Sequence, residues 1–75
     1  MELSEAFGKV IRKHRIKSEM TQEQLGFEAN IRRTFISLLE LGQQQPSLKT
    51  IFKLAEALKV SPAVLIKETH SEIAK

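Results

Sequence analysis

Residues 20–42 read MTQEQLGFEANIRRTFISLLELG, and the order of polar and apolar positions in this stretch decides the fold. Thr21 is followed three residues later by Gln24, the spacing of a capping box, in which each side chain accepts the other residue's free backbone N–H. Met20 and Leu25 stand where a hydrophobic staple joins the residue before the cap to the second turn. A helix therefore starts at about Thr21. It is predicted to end near Ala29, because Asn30 is among the few residue types that tolerate a left-handed backbone. A following helix runs from about Arg32 to Leu41 and stops at Gly42, a natural terminator. On it Ile36, Leu39 and Glu40 share one side, while Arg33, Thr34, Ser37, Leu38 and Leu41 lie on the other.

Two helices of about nine residues joined through Asn30 and Ile31 match a helix-turn-helix, a unit whose second helix enters the DNA major groove. A plain helical hairpin is the competing reading, but it rarely places two arginines and a threonine at the outward start of its second helix. Upstream, Ser4 is the expected N-cap of a helix on which Phe7, Val10, Ile11 and His14 form one stripe. Downstream, Gln43-Gln44-Gln45-Pro46 is a polar connection. Ser47 then caps a helix whose Leu48, Ile51, Phe52, Leu54, Ala55 and Leu58 are expected to cover one side. Ser61-Pro62 supplies a cap and an N1 proline for a last helix through about Glu68, with Thr69–Lys75 either extending it or fraying. The expected fold is all-α and compact. It is a single five-helix domain over 1–75, with the helix-turn-helix at about 21–41 and the C-terminal helix at about 61–68, or to 75 if the tail extends it.

Seventy-five residues can enclose only a small core, and 41% hydrophobic with 28% charged residues is a globular balance. Cysteine and aspartate are absent and the only histidines are His14 and His70. A Ser-His-Asp set, a two-aspartate dyad and a cysteine zinc site are therefore excluded, and no enzyme activity, cofactor or metal is expected. The longest apolar run, Ala63–Ile66, falls far short of the roughly 20 residues of a membrane span. The acidic start Met1–Glu5 is unlike a signal peptide, so a cytoplasmic chain without membrane contact is expected. Net charge is +3. Lys9, Arg12, Lys13, Arg15 and Lys17 fall in one run without an intervening acid, either a nucleic-acid face or merely a solvated one.

Arg15, the run Met20-Thr21-Gln22-Glu23-Gln24-Leu25, the run Arg33-Thr34-Phe35-Ile36-Ser37, Glu40 with Gly42, Pro46-Ser47-Leu48 and Val60-Ser61-Pro62 carry a family likeness. Over about residues 7–66 the chain resembles the five-helix DNA-binding domain of phage repressors and Cro proteins, the Xre-type family. Within it, the Arg-Thr-aromatic-Ile-Ser run is most similar to the small controller proteins of restriction–modification systems. The resemblance implies that Gln22 contacts a phosphate and braces a base-reading neighbour. It implies that Arg33 reads a base, for which guanine O6 and N7 offer a bidentate match. Thr34 and Ser37 would reach base edges or phosphate. Leu38 would meet a thymine methyl, or mark a protein-binding spot. Gln43, Gln44 and Lys49 would hold the DNA backbone. Arg15 would pair with Glu40 in a purely structural role, and His14, where the family carries leucine, would pack in the core.

Some positions depart from the family pattern. Glu19 stands where glycine is usual, and a left-handed glutamate costs about 1 kcal/mol, so the first helix is expected to end differently. Arg32 replaces the usual Ser, Thr or Asp cap at a cost of about 1 kcal/mol, and is expected to be kept for a phosphate or an outer base. Gly26, where alanine is preferred, implies close approach of the two helices of the motif. The family binds as a two-fold dimer on half-sites about one DNA turn apart. Pro62, Leu65, Ile66 and Ile73 are expected to face the body and Val64 to point away; the dimer contact is assigned to Val64 with Ile66 and Ile73. The reading that results is a homodimeric, sequence-specific regulator of double-stranded DNA on a near-palindromic operator, with Arg32–Leu38 in the major groove. With no effector domain following, control would rest on concentration and dimerisation. The alternative is an antitoxin-type module that neutralises a partner protein through Leu38, Leu41 and Val64 and binds DNA for autoregulation. A toxin or polymerase partner is left open.

Overall fold

The computed structural model describes residues 1–75 and contains five helices: α1 Leu3–Lys17, α2 Gln22–Ala29, α3 Arg33–Glu40, α4 Leu48–Leu58 and α5 Pro62–Ala74. Local chemistry accounts for most of their limits. Thr21 and Gln24 form the expected capping box, with Thr21 N–H donating to Gln24 Oε1 at 2.8 Å and Gln24 N–H to Thr21 Oγ1 at 3.0 Å. Ser47 accepts from Thr50 N–H and Ser61 from Ala63 N–H. Ser4 is not a cap. Glu2 takes that place, in a reciprocal box with Glu5 whose two bonds are 3.4 Å long, and Ser4 is buried inside the first turn. A carboxylate three residues before another one satisfies two free N–H groups, where the lone serine would satisfy one.

Four helices stop in the same way, with a left-handed residue and a backbone bond reaching back five positions. These residues are Glu19, Asn30, Gly42 and Lys59, with φ between 56° and 74°. Their following N–H groups, of Met20, Ile31, Gln43 and Val60, donate to the carbonyls of Arg15, Gly26, Leu38 and Ala55. The expectation that α1 ends differently is corrected: Glu19 adopts the glycine conformation at φ 57°, because the bond from Met20 to Arg15 (3.1 Å) and the turn into α2 require it. Glu19→Gly is therefore expected to stabilise the chain by about 1 kcal/mol. In a domain of this size that raises the melting temperature by about 4–8 °C. Circular dichroism of the two proteins checks this, and an unchanged or lower midpoint contradicts the strain argument.

All five helices contribute wholly buried side chains to one core: Val10 and Ile11, Leu25, Ile36 and Leu39, Leu54, and Leu65. α1 runs along α3 and α5, and α2 packs on α3 and α4. Two helices are rotated from the expected setting. α4 buries Leu54, Ala55, Ala57 and Leu58, while Leu48 and Phe52 stay 71% and 56% exposed. α5 turns Leu65 and Thr69 inward, so Ile66 and Ile73 do not face the body but stand 50% and 37% exposed, and Val64 is half-buried rather than outward. Ile66 lies about 100° around the helix from Leu65, and α5 packs on its neighbours with the side that carries Leu65 and Thr69.

α5 also extends to Ala74 instead of stopping at Glu68. Past Leu65 only Thr69 is buried, and ion pairs to α1 help hold this half. Glu68 accepts from Lys13 and from His14 Nε2, both at 2.8 Å, and Glu72 lies 3.2 Å from Lys9. Lys13 first, and His14 second, hold the Glu68 carboxyl below its ordinary value of 4.5; Lys75 and then Lys9 do the same for Glu72. A carboxyl depressed in the folded state contributes fully above its ordinary value, and that contribution disappears as pH falls through the folded one. Acidification below about pH 4.5 is therefore expected to lower the melting temperature, and to do so less in a Glu68→Gln, Glu72→Gln protein. Equal acid sensitivity of the two proteins contradicts this.

Candidate nucleic-acid interface

The helix-turn-helix is set by two glycines and one carboxylate. At Gly26 an added Cβ would lie 2.6 Å from the Ile31 carbonyl oxygen, so the turn closes against the bare face of α2, as expected from its departure from alanine. At Gly8 an added Cβ would lie 2.9 Å from the Glu40 carbonyl oxygen and nearer still to that of Leu39. The C-terminal end of α3 thus rests directly on the backbone of α1. This contact was not foreseen, although a glycine inside a helical stripe, costing about 1 kcal/mol against alanine, is a usual sign of close approach.

Glu40 joins the three helices. Arg15 donates Nε to Glu40 Oε2 at 2.6 Å and Nη2 to Oε1 at 3.0 Å, a bidentate pair, and its Nη1 reaches the Met20 carbonyl at 2.8 Å. The side chains are 12% and 4% exposed. The hydrogen bonds to the Glu40 carboxylate hold the Arg15 guanidinium above its ordinary value. Gln22 Nε2 donates to the same Glu40 Oε1 at 3.1 Å. Its amide is thereby pinned at the start of α2, with one N–H and the carbonyl oxygen left for a ligand.

The other expected site residues fall into two groups. Arg32, Arg33 and Thr34 are exposed at the start of α3, and none of their side chains has a hydrogen-bond or ionic partner within the chain. Arg32 forms no side-chain cap. Ser37 and Leu38, one turn on, are half-buried, so Leu38 is less available than a fully wet position would be. Gln43, Gln44 and Lys49 are exposed around the start of α4. The basic run of α1 is largely engaged elsewhere: Lys9 and Lys13 pair with α5 and Arg15 with α3, which leaves Arg12 and Lys17. Sequence reasoning expected the Arg15 pair and missed the other two, whose partners Glu68 and Glu72 lie more than fifty positions downstream. No helix is long and apolar enough to cross a membrane.

Residues 11–65 match the family described as helix-turn-helix. The chain belongs to the Xre-type helix-turn-helix family. It is similar to the control protein C.BamHI of Bacillus amyloliquefaciens, with 44% identity over 64 residues, covering 84% of this chain and 79% of that one. Its fold is that of the restriction-modification controller protein C.AhdI from Aeromonas hydrophila, with a TM-score of 0.81 and 35% identity over 83% of this chain and 94% of that one. The controller protein C.Esp1396I, solved as a tetramer with its natural 35 base-pair operator, superposes with a TM-score of 0.88 and 32% identity over 100% of this chain and 99% of that one. The five-helix fold and the controller-type resemblance expected from the sequence both hold.

Proposed function

We propose that this chain is a transcriptional regulator of the restriction–modification controller type that binds double-stranded DNA as a homodimer, with α3 in the major groove. One observation carries the reading: Arg32, Arg33 and Thr34 stand free at the outward start of α3, while three of the five cations on α1 are consumed within the fold. A guanidinium with no internal partner is available for a guanine edge. Arg33 reads a base, assisted by Thr34 and Ser37; Arg32, Gln22, Gln43, Gln44 and Lys49 hold phosphates. The exposed apolar side chains of α4 and α5 supply the dimer contact. Phe52 shares a hollow with Pro62, and Ile66 shares one with Ile51, Pro46 and Leu3, so each hollow brings together residues of α4 and α5. Ile66 and Ile73 therefore keep their assignment to the interface, and Leu48 and Phe52 take the place of Val64. The relative's operator complex holds a tetramer, and two dimers on one operator are proposed here too.

Selection from a random duplex library, followed by titration at two salt concentrations, tests the proposal. The label must sit on the DNA, because the chain has neither Trp nor Tyr. The expected product is a near-palindrome with half-sites about one turn apart. Weak binding that depends on salt alone, with no enriched site, overturns it. On the selected site Arg33→Ala is expected to cost about 1–3 kcal/mol and to relax preference at one base pair. Equal losses on selected and random DNA would remove the base-reading role.

A further inference from the structure

Thirteen residues form α5, and the core anchors its first turn alone. Leu65 is wholly enclosed, but no apolar side chain after it is buried. Thr69, the one buried residue further on, donates its hydroxyl to the Leu65 carbonyl at 2.7 Å and so bonds to its own helix. The last two turns, Glu68–Ala74, therefore lack the apolar burial that holds the other helices in place.

Charge attaches them to α1 instead. Glu68 and Glu72 stand one turn apart on α5, as Lys9 and Lys13 do on α1, and the two rows meet in opposite directions. Lys13 lies 2.8 Å from Glu68 and Lys9 3.2 Å from Glu72. His14 Nε2 shares the same Glu68 oxygen at 2.8 Å. Glu72 Oε2 is enclosed without a hydrogen bond, so its compensation comes from the Lys9 ammonium. Both lysine side chains are more than half exposed, which leaves the two pairs open to screening by salt.

We infer that Glu68 and Glu72 form an ionic strap that docks the end of α5 on Lys9, Lys13 and His14 of α1, and that this strap sets the strength of the dimer. The inference rests on the assignment of Ile66 and Ile73 to the dimer contact. With the strap closed, both isoleucines stand on one rigid helix. With it open, Ile73 sits on a loose end that must be ordered again in each protomer on association. A dimer needs two competent chains, so its apparent dissociation constant varies with the inverse square of the docked fraction. A fall of that fraction to about a third weakens the dimer about tenfold. Apolar side chains offer salt nothing to screen, yet the dimer of this chain is weakened by salt before any DNA is present. A regulator that acts as a dimer thereby responds to ionic strength independently of its phosphate contacts.

Sedimentation equilibrium of the full chain without DNA, combined with amide hydrogen exchange of residues 70–74, tests this. Sodium chloride is raised from about 0.1 M to about 1 M, which shortens the screening length from about 10 Å to about 3 Å. Over that range the wild-type dimer is expected to weaken about tenfold and the α5 amides to exchange faster in parallel. The Glu68→Gln, Glu72→Gln protein should already be about tenfold weaker at low salt and respond little to more. Lys9→Glu should weaken the dimer, and adding Glu72→Lys should restore it. Phe52→Ser, expected to be monomeric, should still exchange its α5 amides faster in salt, which reads the strap without the dimer. Amide protection that ignores salt in both chains, or a dimer of wild-type strength in the double glutamine variant, overturns the proposal alone. A wild-type chain that is monomeric at every salt concentration overturns it together with the homodimer reading.

Discussion

Glu40→Ala is expected to destabilise the chain by about 3–5 kcal/mol, the usual result of stranding one member of a buried ion pair. The carboxylate is 4% exposed and accepts three hydrogen bonds, two from Arg15 and one from Gln22. Without it the Arg15 guanidinium, itself 12% exposed, keeps only the Met20 carbonyl. A domain of this length has a total stability of about 4–11 kcal/mol, so the variant should lose a large share of it. The cost lies in the uncompensated charge rather than in the loss of attraction. The double variant Arg15→Met, Glu40→Leu should therefore recover most of the stability, because two apolar groups of similar volume leave nothing stranded. Urea unfolding of the three proteins measures the cycle. A loss below about 1 kcal/mol in Glu40→Ala would assign the pair to the weak class of exposed salt bridges.

Gly8→Val is expected to be the second most damaging change, at about 3 kcal/mol, and Gly8→Ala to cost about 1–3 kcal/mol. Helix propensity alone predicts the opposite sign for alanine, a gain of about 1 kcal/mol. The two arguments are separated by geometry. An added Cβ meets the backbone carbonyls of Leu39 and Glu40, which end α3 and have no rotamer by which to withdraw. Gly8 and Arg15 are seven positions apart, on one face of α1, so pushing α3 away at Gly8 also strains the bidentate pair. Melting curves of Gly8→Ala decide between them. A raised midpoint would show that α1 and α3 can separate without cost.

Both changes act on the placement of α3 without touching its outward face, and a regulator of this kind depends on that placement. In the proposed function Arg33 reaches a base edge only if α3 is held at a fixed angle. The fixing elements are the glycine contact at one end of the α1–α3 seam and the Arg15–Glu40 pair along it. On the proposed reading Gln22 belongs to both tasks, since its amide donates to Glu40 and keeps one N–H and the carbonyl oxygen for a phosphate. The proposed function thus couples stability and DNA recognition through Glu40, and residual binding by Glu40 variants should be weighed against their folded fraction.

The helix-turn-helix was legible from the sequence because its signals are local. The Thr21–Gln24 box, the left-handed Asn30 and the Gly42 stop each involve residues within a few positions, so backbone chemistry at those sites has one favourable answer. The Arg15–Glu40 pair was legible only through the family likeness, since no local pattern joins positions 25 apart. Competition between equally local signals produced the misplaced first cap, where Glu2 with Glu5 replaced Ser4. The rotations of α4 and α5, the exposure of Phe52 and Ile66, and the engagement of Lys9 and Lys13 by Glu72 and Glu68 were decided by the tertiary structure alone. A helical stripe wider than the core can cover leaves a choice of which residues stay outside. That choice is made by the volume available between neighbouring helices, which the sequence of one helix does not contain.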